Sequence, residues 1–289
     1  MKMKIYLLTV LFVAVSCQTD IIEEEQYQKV IYLLSSDYNI FKYSHAVNDS
    51  LTRGYLTVGS GGTRPLDKDV TVELELDTDF LDAYNHRNFD TQDKYAKLLD
   101  PVRYVLPSYS IVLRRGEANA TTFFPVEVDA NGLSPDSTYM IPLRIKSSSD
   151  YTINEEKNTV LYQIELKNKY TESRKNTYSM KGTLQPDGGL LSGITAVKTM
   201  TPISRNKVRI FPENRTSSTS LSTIENQTIL IIIDEDNTLR LRPYKNVFLE
   251  QLDNNRYNDV DEIFHLNYRY KLSAGANWIT VTETLTRIK

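Results

Sequence analysis

From residue 27 onward this chain alternates apolar and polar residues with a period of two, which commits most of it to sheets. Successive side chains on a strand point to opposite faces, so alternation marks one face for a core and the other for water. The cleanest run is Glu262–Leu272, where Phe264, Leu266, Tyr268, Tyr270 and Leu272 face one way and His265, Asn267, Arg269 and Lys271 the other. Val70, Val72, Leu74 and Leu76 alternate with Thr71, Glu73 and Glu75. Tyr139, Ile141, Leu143 and Ile145 alternate with Met140, Pro142 and Arg144, and Val160, Tyr162, Ile164 and Leu166 with Leu161, Gln163, Glu165 and Lys167. Each reads as a strand with one buried and one wetter face. Pro142 has no N–H to donate, which assigns its strand to a sheet edge or a bulge. Turn residues separate the runs at Asn131-Gly132 with Ser134-Pro135, at Ser147-Ser148-Ser149-Asp150, and at Gly59-Ser60-Gly61-Gly62, which reads as a hairpin turn. One stretch is helical in pattern: Asp79–Leu99, with Phe80, Ala83 and Tyr84 at three- and four-residue spacing, stopping before Asp100-Pro101.

The fold class that follows is all-β. About seven short strands over residues 29–168 describe a β-sandwich of immunoglobulin type. The polar stretch from Lys167 to Asn176 breaks the pattern and marks a domain boundary. Residues 177–289 resume it with Thr177–Gln185, Ile194–Met200, Lys207–Phe211, Thr228–Ile233, Leu239–Arg242, Glu262–Leu272 and Trp278–Arg287. Hairpin turns at Asp234-Glu235-Asp236-Asn237 and Ser273-Ala274-Gly275-Ala276 make these an antiparallel, lipocalin-like meander. Such a meander closes into a small barrel or sandwich, because closure removes exposed edges.

The amino terminus places the chain in the cell. Lys2 and Lys4 precede an apolar stretch from Ile5 to Val15 and a small Ser16, the build of a secretory signal over residues 1–16. That stretch is too short to span a bilayer, which takes about 20 apolar residues. The chain's single cysteine, Cys17, stands immediately behind it. Ala14-Val15-Ser16-Cys17 resembles the bacterial lipobox, which implies a lipid anchor on Cys17; the alternative is an ordinary signal followed by an incidental thiol. With Cys17 lipidated no thiol remains for disulfides, and stability rests on packing. Residues 17–28 include Glu23-Glu24-Glu25 and read as an acidic tether. This cluster resembles the signal behind the lipidated cysteine of surface-exposed Bacteroidetes lipoproteins, which implies an outer-membrane protein facing the exterior. Removing the two lysines of the signal takes the formal charge from −3 to −5, which argues against a nucleic-acid partner.

Residues 70–168 resemble the immunoglobulin-like domain of Bacteroidetes surface lipoproteins, a module also found ahead of some endo-β-N-acetylglucosaminidases. The residues that carry the likeness are Val70–Asp77, Ala83-Tyr84-Asn85, Leu106-Pro107-Ser108-Tyr109, Arg115-Gly116-Glu117, Ser134-Pro135-Asp136-Ser137-Thr138-Tyr139 and Ile141-Pro142-Leu143-Arg144-Ile145. Residues 89–103 form a longer connection than the module usually has. The C-terminal half resembles a barrel-like domain of unknown function that accompanies the module. The resemblance implies membership of a polysaccharide-utilisation system, with a glycan and a surface glycan-import complex as partners.

Chemistry is sparsely signalled. His45, His86 and His265 are not spaced with other ligands as a zinc site requires, and no metal or cofactor is expected. A glycosidase needs two carboxylates at a fixed separation, and among 37 acids the sequence selects no pair. Gly59-Ser60-Gly61-Gly62 lacks the lysine and helix of a phosphate loop. The oxygen-rich run Asp253–Glu262 lacks the central glycine of a helix-loop-helix calcium site and reads as a polar connecting loop. Ser50 in Asp49-Ser50-Leu51 and Ser137 in Asp136-Ser137-Thr138 match the short O-glycosylation motif of exported Bacteroidetes proteins.

The remaining signal is aromatic. There are 19 tyrosines, which strands favour in any case, and one tryptophan, Trp278. On the last strand Ile279, Val281 and Leu285 share the core face, while Trp278, Thr280, Thr282, Thr284 and Thr286 share the other. A ring beside a row of hydroxyls suits a sugar, so Trp278, Thr280 and Thr282 are the candidate ligand-binding residues. No catalytic residue is assigned. The reading is a non-catalytic surface lipoprotein that binds glycan or assists its capture. A structural subunit of an outer-membrane complex and a small all-β glycosidase or lyase with an unrecognised acidic pair are the alternatives.

Overall fold

The computed structural model describes residues 28–116, 120–172 and 177–288. The signal, Cys17, the tether up to residue 27 and Glu117 therefore lie outside the described residues.

The first half folds as two facing sheets. One has β1 (Val30–Leu33), β3 (Thr52–Gly61) and β8 (Thr121–Val128) in its middle, with β6 (Tyr104–Val105) and β10 (Thr152–Ile153) at its edges. The other runs β2 (Ile40–Ala46), β11 (Thr159–Lys167), β9 (Tyr139–Ser148), β4 (Val70–Leu76) and β7 (Ser110–Leu113), with β5 (Lys97–Leu98) added to β9. Between them lies one apolar cluster that includes Leu56, Val72, Phe124, Leu143 and Tyr162. β11 differs from its expected half-wet pattern, since both its faces are buried from Thr159 to Leu166. Its second face is covered because Leu161 packs with Met140 of β9, Ala96, and Leu81 of helix α1 (Thr78–Asn88).

α1 is shorter than its pattern. Asp77 caps it by accepting from the Phe80 N–H, but the chain turns extended at Phe89, and residues 97–98 join a sheet. Buried Asn85 explains the reversal: its amide donates to the Ala96 carbonyl and accepts from the Ala96 N–H, both at 2.9 Å, pinning the returning segment. Pro142 sits on an interior strand rather than an edge. Its carbonyl accepts from Asp77 N, just past the last β4 pair, so its side of β9 has no further strand there to demand an N–H. The Gly59–Gly62 segment is not a hairpin turn either. Gly59 and Gly61 belong to β3, and a Cβ on Gly59 would stand 3.0 Å from the Tyr32 ring that crosses it.

The second half is a sequential meander. β12 (Thr177–Pro186), β13 (Ser192–Thr199), β14 (Thr201–Ser204), β15 (Lys207–Ile210), β16 (Ile229–Ile233), β17 (Leu239–Pro243), β18 (Phe248–Gln251), β19 (Arg256–Asn258), β20 (Ile263–Lys271) and β21 (Ile279–Arg287) follow in order. β21 returns to pair with β12 from Tyr178↔Arg287 to Pro186↔Ile279, closing the circuit. The ladder breaks twice, so the circuit is two curved sheets, β13-β12-β21-β20-β18 and β14-β15-β16-β17. One break is the bend at Met200. The other is bridged by the Gln251 side chain, which accepts from Leu241 N at 2.7 Å and donates to the Leu239 carbonyl at 3.0 Å. β14, β18, β19 and the short helix α2 (Leu221–Gln227) have no counterpart in the alternation, being three to seven residues long. The polar stretch at the boundary also contributes to this core: Tyr170 packs 5.2 Å from Tyr257 and 6.0 Å from Phe264, ring centre to ring centre.

Candidate functional site

The outer face of the sheet built on β20 and β21 gathers the candidate residues. Directly opposed residues of antiparallel strands share a face, so the register defines five rows across it. Trp278 lies at one end with Lys271 and Phe248. Next come Gln185, Thr280, Arg269 and Glu250, then Thr183, Thr282 and Asn267, then Lys181, Thr284, His265 and Arg256, and last Ser179, Thr286, Ile263 and Asn258. The expected placement of Thr280 and Thr282 beside Trp278 on an outward face is what the register gives.

Trp278 is half-buried by its neighbours rather than by the core. The Arg269 guanidinium carbon is 4.8 Å from its ring centre and Lys271 Nζ 5.0 Å, while the same Nζ is 5.3 Å from the centre of Phe248. Both cations thus lie in the range where a ring quadrupole attracts them. Arg269 Nε donates to Glu250 Oε2 at 2.7 Å. Thr282 Oγ1 donates to Asn267 Oδ1 at 3.2 Å. Arg269, Lys271, Phe248, Glu250, Asn267 and Gln185 were not picked out as site residues in the sequence. Alternation puts three of them, Asn267, Arg269 and Lys271, on the polar face, but only the strand register brings all six to Trp278.

The opposite side of the same strand is unexpected. Glu283 falls between Val281 and Leu285 on the core face and is fully buried. Lys198 of β13, 1 % exposed, donates to Glu283 Oε2 and, at 2.9 Å, to the Phe211 carbonyl. Glu283 Oε1 accepts from the Tyr268 hydroxyl and, at 3.1 Å, from Glu213 N. Tyr270 donates to the Glu213 carboxylate. Burial holds the Lys198 ammonium below the usual lysine value, partly offset by Glu283. Burial first, and then the Glu283 charge, push the Tyr268 hydroxyl well above its ordinary value, so it stays protonated and donates. Gly182, opposite Glu283, lies close against β21: a Cβ there would stand 2.0 Å from the Thr282 carbonyl oxygen.

The other candidates scatter. Ser50 is exposed in the turn between β2 and β3, its N–H bonded to Asn48 Oδ1 at 3.3 Å. Ser137 is half-buried, its Oγ accepting from Lys97 Nζ at 3.0 Å. Its neighbour Asp136 holds Arg209 across the two halves through two hydrogen bonds of 2.6 and 2.5 Å, and that guanidinium lies 4.7 Å from the Tyr244 ring centre. A cavity of about 480 Å³ opens beside this pair, lined by Thr199, Phe211, Thr216 and Leu221. A second of about 600 Å³, lined by Asp49, Asn131, Lys169, Tyr170 and Arg205, also spans both halves. Residues 253–262 are not a simple loop. Arg256–Asn258 form β19, Asn255 bonds two carbonyls through its amide, and Asn258 Oδ1 accepts from Val260 N and Asp261 N. Among the described residues no group of three or more His, Cys, Asp or Glu is placed to hold a metal.

Comparison with known proteins follows the two halves. No curated protein matches the chain. The N-terminal-domain model of a two-domain family matches residues 27–152, and the C-terminal-domain model matches residues 158–286. A Bacteroides ovatus protein of unknown function superposes with a TM-score of 0.60 at 13 % identity, covering 90 % of this chain and 93 % of its own. A multidomain Bacteroides ovatus protein gives 0.59 at 13 % identity with the same coverage. An auxiliary nutrient binding protein from Bacteroides thetaiotaomicron gives 0.56 at 14 % identity, covering 87 % and 92 %. At such identities these likenesses establish the fold. With both family models matched in order and both halves superposing on Bacteroides structures, the chain belongs to this two-domain, all-β family.

Proposed function

We propose that the protein is a lipid-anchored, non-catalytic accessory that binds glycan at the cell surface. The observation that carries this is the Trp278 face: an indole flanked by Lys271, Arg269 and Phe248, continuing into rows of threonine, asparagine and glutamine. An open strand face with a ring at one end and hydrogen-bonding groups along it presents apolar surface to sugar C–H bonds and polar groups to hydroxyls. The similarity to an auxiliary nutrient binding protein supports the same direction. Against catalysis stands the state of Glu283 and Glu213, the acids joined inside the meander. Glu283 is fully buried and committed to Lys198 and Tyr268, and half-buried Glu213 is held by the Tyr270 hydroxyl.

Two experiments test this. Glycan binding by the purified chain should fall about tenfold, the change that 1.4 kcal/mol represents, in Trp278→Ala. Retained affinity with an intact far-UV spectrum would remove the platform from consideration. Cys17→Ser should move the protein from washed membranes to the soluble fraction, and its retention in membranes would overturn the anchor. Glycan turnover abolished by Glu213→Gln would instead favour a glycosidase or lyase. Co-purification with a partner, without any glycan retention, would favour a structural subunit.

A further inference from the structure

The rows of the Trp278 face carry an uneven charge. The chain as a whole is acidic, with a formal charge of −3. Yet the outward positions paired across β12, β21, β20, β18 and β19 hold Lys271, Arg269, Lys181 and Arg256 together with His265. Glu250 is the acid among the described residues of these rows, and Arg269 answers it. The cations stand in two groups. Lys271 and Arg269 flank the aromatic ring, whereas Lys181 and Arg256 are exposed in the His265 row, beyond which the uncharged row of Ser179, Thr286, Ile263 and Asn258 follows. Four residues of strand, about 13 Å at the usual rise, separate Arg269 from the His265 row. Between the two groups lies the neutral row of Thr183, Thr282 and Asn267.

From this arrangement we infer that the face selects an extended anionic polysaccharide, a polymer of uronate or sulfated sugars lying along the strands. The inference rests on the glycan-binding reading of the same face and adds the class of sugar. A neutral glycan gains nothing from these cations, which Glu250 reduces from four charges to a surplus of three. A polymer with acidic groups at intervals meets them in both groups while its hydroxyls meet the threonines and amides between. Arginine and lysine bind carboxylate and sulfate through charge-assisted hydrogen bonds, stronger than those to neutral hydroxyls. A membrane of anionic lipid would also meet the cations, but it calls for protruding apolar side chains. Phe248 and, in the hairpin after β12, Leu190 and Leu191 are exposed at the aromatic end, but the indole is half-buried against Arg269 and Lys271, and the middle of the face is a row of hydrogen-bonding groups rather than apolar ones.

The test measures retention of the full chain on polygalacturonate and chondroitin sulfate against dextran and unsubstituted galactan. The acidic polymers should bind more tightly by at least about tenfold, and their binding should weaken steeply as salt is raised through the range where the Debye length shrinks. Lys181→Gln with Arg256→Gln, both remote from the ring and exposed, should cut acidic-polymer affinity severalfold. Lys271→Gln should do the same from the aromatic end. Equal, salt-independent binding of acidic and neutral polymers would overturn the charge selectivity and leave glycan binding standing. An unchanged affinity in the Lys181/Arg256 variant would also overturn it, because the His265 row would then take no part. Failure to bind any polymer would remove both readings. Capture by phosphatidylglycerol vesicles with no polymer retained would make the face a membrane surface instead.

Discussion

The two halves of this molecule bury ionisable groups in opposite ways. In the N-terminal sandwich, His45 is fully enclosed: Nδ1 lies 2.9 Å from Thr52 Oγ1 and Nε2 2.9 Å from the Tyr162 hydroxyl, beside the Tyr43 ring. Burial lowers its pKa from 6.5 to about 4, so it sits there neutral. In the C-terminal meander the interior holds a lysine and a carboxylate in contact, with a tyrosine and backbone groups completing the shell. A neutral imidazole needs two partners of ordinary polarity, and a sandwich core supplies them from one threonine hydroxyl and one phenol. A buried ion pair needs excellent geometry and further hydrogen bonds to offset the loss of water around two charges. The meander meets that demand because β13, β20, β21 and the segment after β15 all converge at Glu283.

This contrast can be broken most forcefully at Lys198. Lys198→Met leaves Glu283 buried without its counter-charge and should cost about 3–5 kcal/mol. Restoring apolar character with Lys198→Met/Glu283→Leu should recover most of that loss. Trp278 is the chain's one tryptophan and lies in the meander, so urea unfolding followed by its fluorescence reads this half specifically. A single variant as stable as the parent would mean that the pair contributes nothing.

His45 offers the converse. The unfolded chain takes up a proton near pH 6.5 that the folded sandwich resists until about pH 4. Stability from this group is therefore complete above about 6.5 and is lost as the pH falls toward 4, by on the order of 3 kcal/mol. Urea unfolding across that window should show the slope in the sandwich, and His45→Gln should flatten it. The contrast fails if the Trp278-reported transition shifts with the same histidine.

Two glycines sharpen it further. At Gly54 an added Cβ would press on the Tyr162 hydroxyl at 2.1 Å, and at Gly182 on the Thr282 carbonyl oxygen at 2.0 Å. A backbone oxygen in a ladder yields less than a side-chain tip. Gly182→Ala should thus lose about 3 kcal/mol and Gly54→Ala about 1–2, within the range for overpacking. Equal losses by thermal melting would show that the Tyr162 stack is as rigid as the ladder. The smallest effect belongs to the joint. Asp136→Asn weakens the paired hydrogen bonds to Arg209 and should cost about 1 kcal/mol. It should also widen the gap between the unfolding transitions of the two halves in calorimetry, and an unchanged gap would mean that the contact does not couple them.

Much of this was readable from period two alone. Phe264, Leu266, Tyr268 and Tyr270 are core and His265, Asn267, Arg269 and Lys271 are outward, as their alternation states. Val281 and Leu285 are core with the threonines outward. Short elements escaped because three or four residues carry too little alternation to separate from a loop, as at β19. The length of α1 escaped because its end depends on Asn85 meeting Ala96 eleven residues on, which helical spacing does not encode.

The sequence by itself determined which side of each long strand meets water, because that depends only on the geometry of neighbouring residues in one chain segment. It also placed Trp278 among hydroxyls. What only the tertiary structure decided is which strangers meet across segments. Glu283 occupies a core position in the alternation yet reads as a misplaced acid until Lys198, 85 residues earlier, arrives on β13 to neutralise it. The Trp278 face likewise acquires its charge from β12, β18, β19 and β20, whose registers are set by turns and the closure of β21 onto β12. Burial side is a local property of a strand. Charge pairing and the composition of a face are set by strand register, and register is fixed only when the whole circuit closes.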